Sequence, residues 1–394
     1  MSMVAQAAYP TSEFFMSLTE ATHFYDPETG ARYPLDVARW CSDTGGYLMV
    51  EPLAGISKDE IDTRVKSLWR YKAALPLDIP NPVTLGEGCT PLVEKKFRGK
   101  TVLFKLEWFS PTCSFKDKGA SVMVSYLKHL GVPAILEDSS GNGGAAISAY
   151  GAAAGMKVRI LTPAHAQPAK IAQMRIFGAE VQLVPGPRDA TEREALKQAD
   201  EIFYASHNWH PFFLEGTKMT AYELWEDLNF KAPDNVIVPA GAGSNIMGCG
   251  MGFAELLAAG QIDKMPKIFG VQPANCAPIA KCFDAGVDEL VETAISSTIA
   301  EGASIKFPVR LKPVLSAIRK SEGKMVTVAE DKIMAALLDL AEMGLFVEPT
   351  SAIAAAAIDQ LLEAGDIKEH ETTVVLLSGG GLKAASFITE YLSK

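Results

Sequence analysis

One pattern, recurring from about residue 100, restricts the fold of this chain more than any other. A short run of apolar, β-branched residues leads into a Gly-rich turn, and the turn opens an Ala/Leu-rich stretch of helical character. "VPAILEDSSGNGGAAISAYGAAAG" is one instance; "KVRILTPAHAQPAKIAQMRIFG", followed by "EVQLVPG", is another. "NVIVPAGAGSNIMGCGMGFAELLAAG", "KIFGVQPAN" and "TTVVLLSGGGLKAASFITEYL" continue the series. Strands alternating with helices imply crossover units and an α/β protein built on parallel sheets. The unbroken apolar character of the strands suits sheets covered on both faces. Residues 1–85 stand outside this rhythm, with turn-rich pieces "DPETGARYP" and "CSDTGGY" and then the charged helical stretch "SKDEIDTRVKSLWRYK".

In such sheets ligands bind beyond the carboxyl ends of strands, where loops lead into helices. Three Gly-rich turns fall at those places: "SSGNGG" at 139–144, "GAGSN" at 241–245 and "SGGG" at 378–381. Backbone amides at a helix start, with no side chains in the way, make an anion cradle, and a phosphate is the natural guest of Gly241, Ala242, Gly243, Ser244 and Asn245. A P-loop would need Gly-Lys-Ser/Thr closing the turn, and that triplet is absent. A dinucleotide fingerprint would need a glycine where Ile246 stands, and "KIFGVQ" ends without the acidic residue that holds a ribose. A small phosphate-bearing cofactor fits better than a nicotinamide. Ser139, Ser140 and Asn142 offer two hydroxyls and an amide suited to a carboxylate or a phenolic oxygen, and Ser378 offers one hydroxyl at a strand end.

Other classes are disfavoured by composition. The formal net charge of −10 argues against a nucleic-acid footprint, which needs a basic face. The six cysteines include no C-x-x-C pair, and no metal site is expected. The first residues lack a basic region followed by an apolar core, so no export signal is read there. The apolar stretch at 352–362 is too short to span a bilayer and contains Asp359. The expectation is a cytoplasmic protein that binds neither membrane nor nucleic acid.

"SPTCSFKDKGA", residues 110–120, holds Lys116 and Lys118. A lysine attacks a carbonyl only as the neutral amine, which burial or a neighbouring cation favours, and Lys118 could supply part of that field. A nucleophilic lysine, a phosphate cradle, an asparagine and a serine together point to pyridoxal 5′-phosphate. That cofactor needs a Schiff-base lysine, a phosphate anchor and partners for its ring oxygen and pyridine nitrogen.

From about residue 85 to 383 the chain resembles threonine synthase and its relatives among the fold type II pyridoxal-phosphate enzymes. "LGEGCTPL" is similar to the family's opening motif and "SPTCSFKDKGA" to its lysine motif. "SSGNGGAAISAYGAAAG", "FFLEGTKMTAYEL", "VPAGAGSNIMG", "VEPTSAIAAAAI" and "LLSGGGLK" follow in the family's order. The resemblance implies that Lys116 carries the cofactor and Asn142 meets its ring oxygen. It places the cofactor phosphate on residues 241–245 and its pyridine nitrogen at Ser378. Ser139, Ser140 and Gly143 would seat the substrate carboxylate, and Lys118 a substrate anion. Lys118 stands where threonine synthases keep arginine, Cys113 where a small Gly or Ala is common, and Ser-Gly-Gly-Gly replaces the usual Thr-Gly-His-Gly. The N-terminal piece resembles a zinc-ribbon-like lead with only Cys41 left, read as metal-free, since a closed zinc site takes four ligands.

The resulting expectation is two doubly wound domains. The smaller spans residues 110–220. The larger joins 86–109 and 221–394 and carries residues 1–85 as an extension, with the cofactor in the cleft and the protein a homodimer. The first expected activity converts O-phospho-L-homoserine and water to L-threonine and phosphate. The alternative is an α,β-eliminating ammonia-lyase or dehydratase for threonine, serine or diaminopropionate. A ligand-sensing paralogue without turnover and a nicotinamide oxidoreductase are the readings from other classes. Lys218 and Lys383 are read as structural or solvent-facing, Lys118 as either an anion contact or a solvated charge, and His207 and His210 as packing residues at a cleft edge.

Overall fold

The computed structural model describes residues 22–186 and 188–394. The first 21 residues, where no export signal was read, lie outside the described residues. The chain divides into two compact units. One contains, of the described residues, 22–53, 60–87 and 116–217; the other contains 54–59, 88–115 and 218–394.

The first unit is built on a four-stranded parallel sheet in the order Glu180–Val184, Lys157–Pro163, Ala134–Asp138, Phe203–Tyr204. The expected strand–turn–helix pattern is realised in Ala134–Asp138 and the helix Asn142–Ala154, which ends at Gly155 in the left-handed conformation that glycine adopts without strain. Its core gathers Leu136, Leu161, Val184, Ala195 and Tyr204, with Trp40 and Trp209 against them.

Trp40 belongs to the N-terminal piece, and its position corrects one expectation. Residues 22–53 group with this unit rather than with the unit built from 218–394. The cause is aromatic packing across long sequence separations. Trp40 meets Tyr204 and Trp209 edge-on, with ring centroids 5.1 and 5.5 Å apart, and Phe24 packs against Tyr126 and Phe212. The Tyr126 hydroxyl donates to the Leu35 carbonyl at 2.8 Å. The piece forms a three-stranded antiparallel sheet in the order Arg32–Pro34, His23–Tyr25, Met49–Val50. Cys41 is buried beside it, and burial pushes its thiol up to about 11, which disfavours the thiolate that binds metal.

The second unit holds a six-stranded sheet in the order Lys324–Val328, Lys267–Pro273, Asn235–Pro239, Thr373–Leu377, Lys100–Leu106, Leu92–Phe97. All pairs are parallel except the last, which is a hairpin. Asn235–Pro239 and Thr373–Leu377 are buried at every position, as covered parallel strands require. The Ala-rich helix Pro349–Ala356 packs into the core with Ile353, Val375 and Leu377. Among the described residues no helix is long and apolar enough to cross a membrane.

Candidate active site

Lys116 is the first residue of the helix Lys116–His129 and is half-buried, with its Nζ 5.4 Å from the centroid of the Phe213 ring. The residues just before it are fixed by the third Gly-rich turn. The Phe115 N–H donates to the Ser378 carbonyl at 2.9 Å and the Gly380 N–H to the Cys113 carbonyl at 3.1 Å, while Ser114 bridges Gly379. The segment leading into the lysine is therefore hydrogen-bonded to the turn carrying Ser378. That segment bends at Cys113, whose φ of 61° explains why a small residue or glycine suits the position.

Ser378 is buried, its hydroxyl 3.1 Å from that of Ser351. Ser351 Oγ also accepts from the Gly379 N–H at 2.7 Å and lies 2.9 Å from the Gly379 carbonyl. Sequence reasoning singled out "VEPTSAIAAAAI" but not this serine, which sets the conformation of the 378–381 turn.

The 241–245 turn opens the helix Ser244–Ala258, and no side chain caps that helix. Gly243 has φ 94°, and a Cβ there would lie 2.3 Å from Val314 Cγ2, so both conformation and space require glycine. A Cβ at Gly241 would lie 2.8 Å from the Gly302 carbonyl. The turn thus opens the helix on glycines that leave no room for a side chain, a helix start that fits a phosphate.

The 139–143 turn belongs to the first unit. Asn142 is the first residue of the helix Asn142–Ala154 and half-buried. Ser139 is buried and accepts the Gly141 N–H through its hydroxyl at 3.3 Å, and Ser140 is half-buried. A Cβ at Gly143 would come within 2.8 Å of His207 Cε1 and Nδ1. Glu87, from the opening motif, ties this helix to that of Lys116. It takes the Tyr150 hydroxyl at 2.7 Å on one oxygen and lies 2.6 Å from the Ser121 hydroxyl on the other, where Trp69 Nε1 also donates at 3.1 Å. The motif was legible in the sequence; its one buried carboxylate and three distant partners were not.

Several lysine readings are settled by burial. Lys118 is fully buried, so the solvated alternative fails. Lys218 is buried and pairs with Glu255 at 2.8 Å, and Lys383 is buried too, so neither faces solvent. His210 is buried among Phe24, Tyr126 and Phe212.

A helix-start lysine, Gly-rich strand-to-helix turns and a neutral serine pair are groups of the kind that pyridoxal phosphate needs. Residues 83–379 match the family model of pyridoxal-phosphate dependent enzymes. Threonine synthases from Methanosarcina acetivorans and Methanocaldococcus jannaschii are each 35% identical to this chain, over 90% of it and 91% of the relative. The Mycobacterium tuberculosis threonine synthase is 33% identical over 79% of this chain and 87% of its own. Among solved structures, the processed form of threonine deaminase isoform 2 from Solanum lycopersicum superposes with a TM-score of 0.68, at 23% identity over 86% of this chain and 90% of that one. Maize serine racemase gives 0.64, at 21% identity over 77% and 92%. The two structures share the fold type II architecture. The chain belongs to the pyridoxal-phosphate dependent enzymes, in their threonine synthase family.

Proposed function

We propose that this protein converts O-phospho-L-homoserine and water to L-threonine and phosphate. The observation that carries the reading is the near-full-length similarity to archaeal threonine synthases. The lysine and Gly-rich turns described above support it, because they suit the cofactor that the family uses. The threonine deaminase and serine racemase neighbours are below 25% identity and favour no competing substrate.

In this proposal Lys116 carries the cofactor covalently, residues 241–245 hold its phosphate, Asn142 its ring oxygen and Ser378 its pyridine nitrogen. When bound, pyridoxal phosphate supplies an electron sink for a carbanion at the substrate's α carbon. The Ser378 hydroxyl, held by Ser351, is a neutral partner and leaves that sink weaker than a carboxylate would, which suits reactions where a leaving group drains the charge. Ser139, Ser140 and Gly143 seat the substrate carboxylate. The Lys116 amine takes the α proton as general base and returns it to carbon later in the cycle. A homodimer located in the cytoplasm completes the proposal, on the same resemblance.

The test is phosphate and threonine release from O-phospho-L-homoserine by the purified holoenzyme. Stoichiometric release supports the reading. Absence of phosphate release, with ammonia and a keto acid formed from threonine or serine, overturns it in favour of an eliminating lyase. A Lys116→Ala variant is expected to lose turnover and the borohydride-bleachable yellow colour together.

A further inference from the structure

The strand Ala134–Asp138 delivers two adjacent buried carboxylates, and they are used differently. Asp138 takes Arg188 Nη1 at 2.8 Å, the Tyr204 hydroxyl and the Ser206 hydroxyl. Glu137 faces His207 with both oxygens: the His207 backbone N–H donates to Oε2 at 3.0 Å, and Nδ1 lies 2.9 Å from Oε1. The imidazole is 8% exposed and wedged between two parts of the proposed site. On one side it meets Phe213 edge-to-face at 5.7 Å, the ring over which Lys116 Nζ sits. On the other, Cε1, the carbon between the two ring nitrogens, lies against Gly143. Nδ1 is taken by Glu137, so Nε2 is the ring nitrogen that Glu137 does not hold.

The proton has one favoured place in this pair. Burial, then the neighbouring Asp138 charge, push the Glu137 carboxyl well above its usual range. Burial, then the Lys116 and Arg188 charges, hold the imidazole well below its own. Both effects favour the uncharged pair, in which Glu137 as the acid donates to Nδ1 and the hydrogen of the neutral ring sits on Nε2.

We propose that His207 is a substrate-binding residue whose Nε2–H donates to the carboxylate seated on the 139–143 turn, and that Glu137 is the positioning residue that fixes this tautomer. The proposal rests on the function assigned above and names a contact that the Gly-rich turn itself does not provide.

The experiment compares three variants of the holoenzyme. In Glu137→Gln the amide N–H₂ donates to Nδ1 and the amide oxygen accepts the His207 N–H, so the same tautomer is imposed and KM stays within about twofold. In Glu137→Leu the orienting partner is gone, and His207→Phe keeps a ring but no donor. Both raise KM by roughly tenfold or more with kcat changed by less, the loss expected for a hydrogen bond to a charged group. Binding of L-2-aminobutyrate, which has no leaving group, is read from the shift of the cofactor band and weakens in parallel. Nitrogen-15 NMR of histidine-labelled protein, with His207 assigned by its loss in the Phe variant, shows the Nε2–H tautomer. Glu137→Gln as damaged as Glu137→Leu, unchanged amino-acid binding in His207→Phe, or an Nδ1–H tautomer each overturns the proposal. A wild-type enzyme that binds L-2-aminobutyrate but releases no phosphate overturns the assigned reaction instead, and leaves the tautomer and binding results to decide this one.

Discussion

Cys113 shows how a single backbone angle constrains the lysine motif. A left-handed conformation costs an L-residue about 1–2 kcal/mol, and Cys113 sits at φ 61° with its carbonyl accepting the Gly380 N–H of the 378–381 turn. Cys113→Gly is therefore expected to raise stability slightly or leave it unchanged, whereas the β-branched Cys113→Val should lower it by about 1–2 kcal/mol, both read from urea unfolding. Asn142, Ser244 and Ser378 could be singled out in the sequence because each sits where a strand-to-helix turn announces itself by its glycines, and Lys116 because its motif resembles the family's lysine motif. His207, Glu137, Phe213 and Ser351 could not. Their importance comes from contacts between residues far apart in the chain, as when Ser351 reaches Ser378 or Glu137 reaches His207. No periodicity encodes such contacts. Lys118 was open between an anion contact and a solvated charge, and the helix Lys116–His129 turns it fully inward.

At the scale of elements, the helix Lys116–His129 is held by close backbone approach and by one carboxylate. A Cβ at Gly216, in the helix Pro211–Thr217, would lie 2.2 Å from the Lys118 carbonyl, and one at Gly119 would lie 2.6 Å from the Phe213 ring. The obstacle at Gly216 is backbone, so Gly216→Ala must push the two helices apart and should cost about 3 kcal/mol, the upper end for overpacking. If thermal melting of that variant matches wild type, the helix contact is looser than described. Glu87 does the complementary work through hydrogen bonds to Tyr150, Ser121 and Trp69. Glu87→Ala strands several buried donors at about 1–3 kcal/mol each, and should lower both stability and cofactor retention, measured by urea midpoint and by absorbance after dialysis. The alternation of strands and helices, and with it the parallel sheets, was readable from the strand–turn–helix rhythm; the order of strands within each sheet was not. Which element the N-terminal piece chooses was not, because Trp40 and Phe24 select their aromatic partners by shape, a property absent from hydropathy patterns.

At the scale of the whole molecule, the second unit encloses a buried charge, Lys105. This side chain is fully buried, with Nζ 2.7 Å from Asp227, 3.0 Å from Glu223 and 2.6 Å from the Thr90 carbonyl. Burial alone would lower its pKa, but Glu223, Asp227 and Glu107 more than offset this and hold the ammonium well above its ordinary value. Lys105→Met fills the space but leaves Glu223, itself buried, with an uncompensated charge, so a loss of about 3–5 kcal/mol is expected from urea unfolding at neutral pH. Adding Glu223→Gln to that variant removes the stranded charge and should recover part of the loss. The pH dependence fixes the cause. A folded pKa above the unfolded one means that the contribution of Lys105 is complete below about pH 10.4, the unfolded value, and falls as pH rises through the folded one. The stability difference between wild type and Lys105→Met should therefore be flat from about pH 7 to pH 10 and shrink above that range. A difference that already varies strongly between pH 7 and pH 9 would show that some other group, and not this buried ammonium, is responsible for the loss.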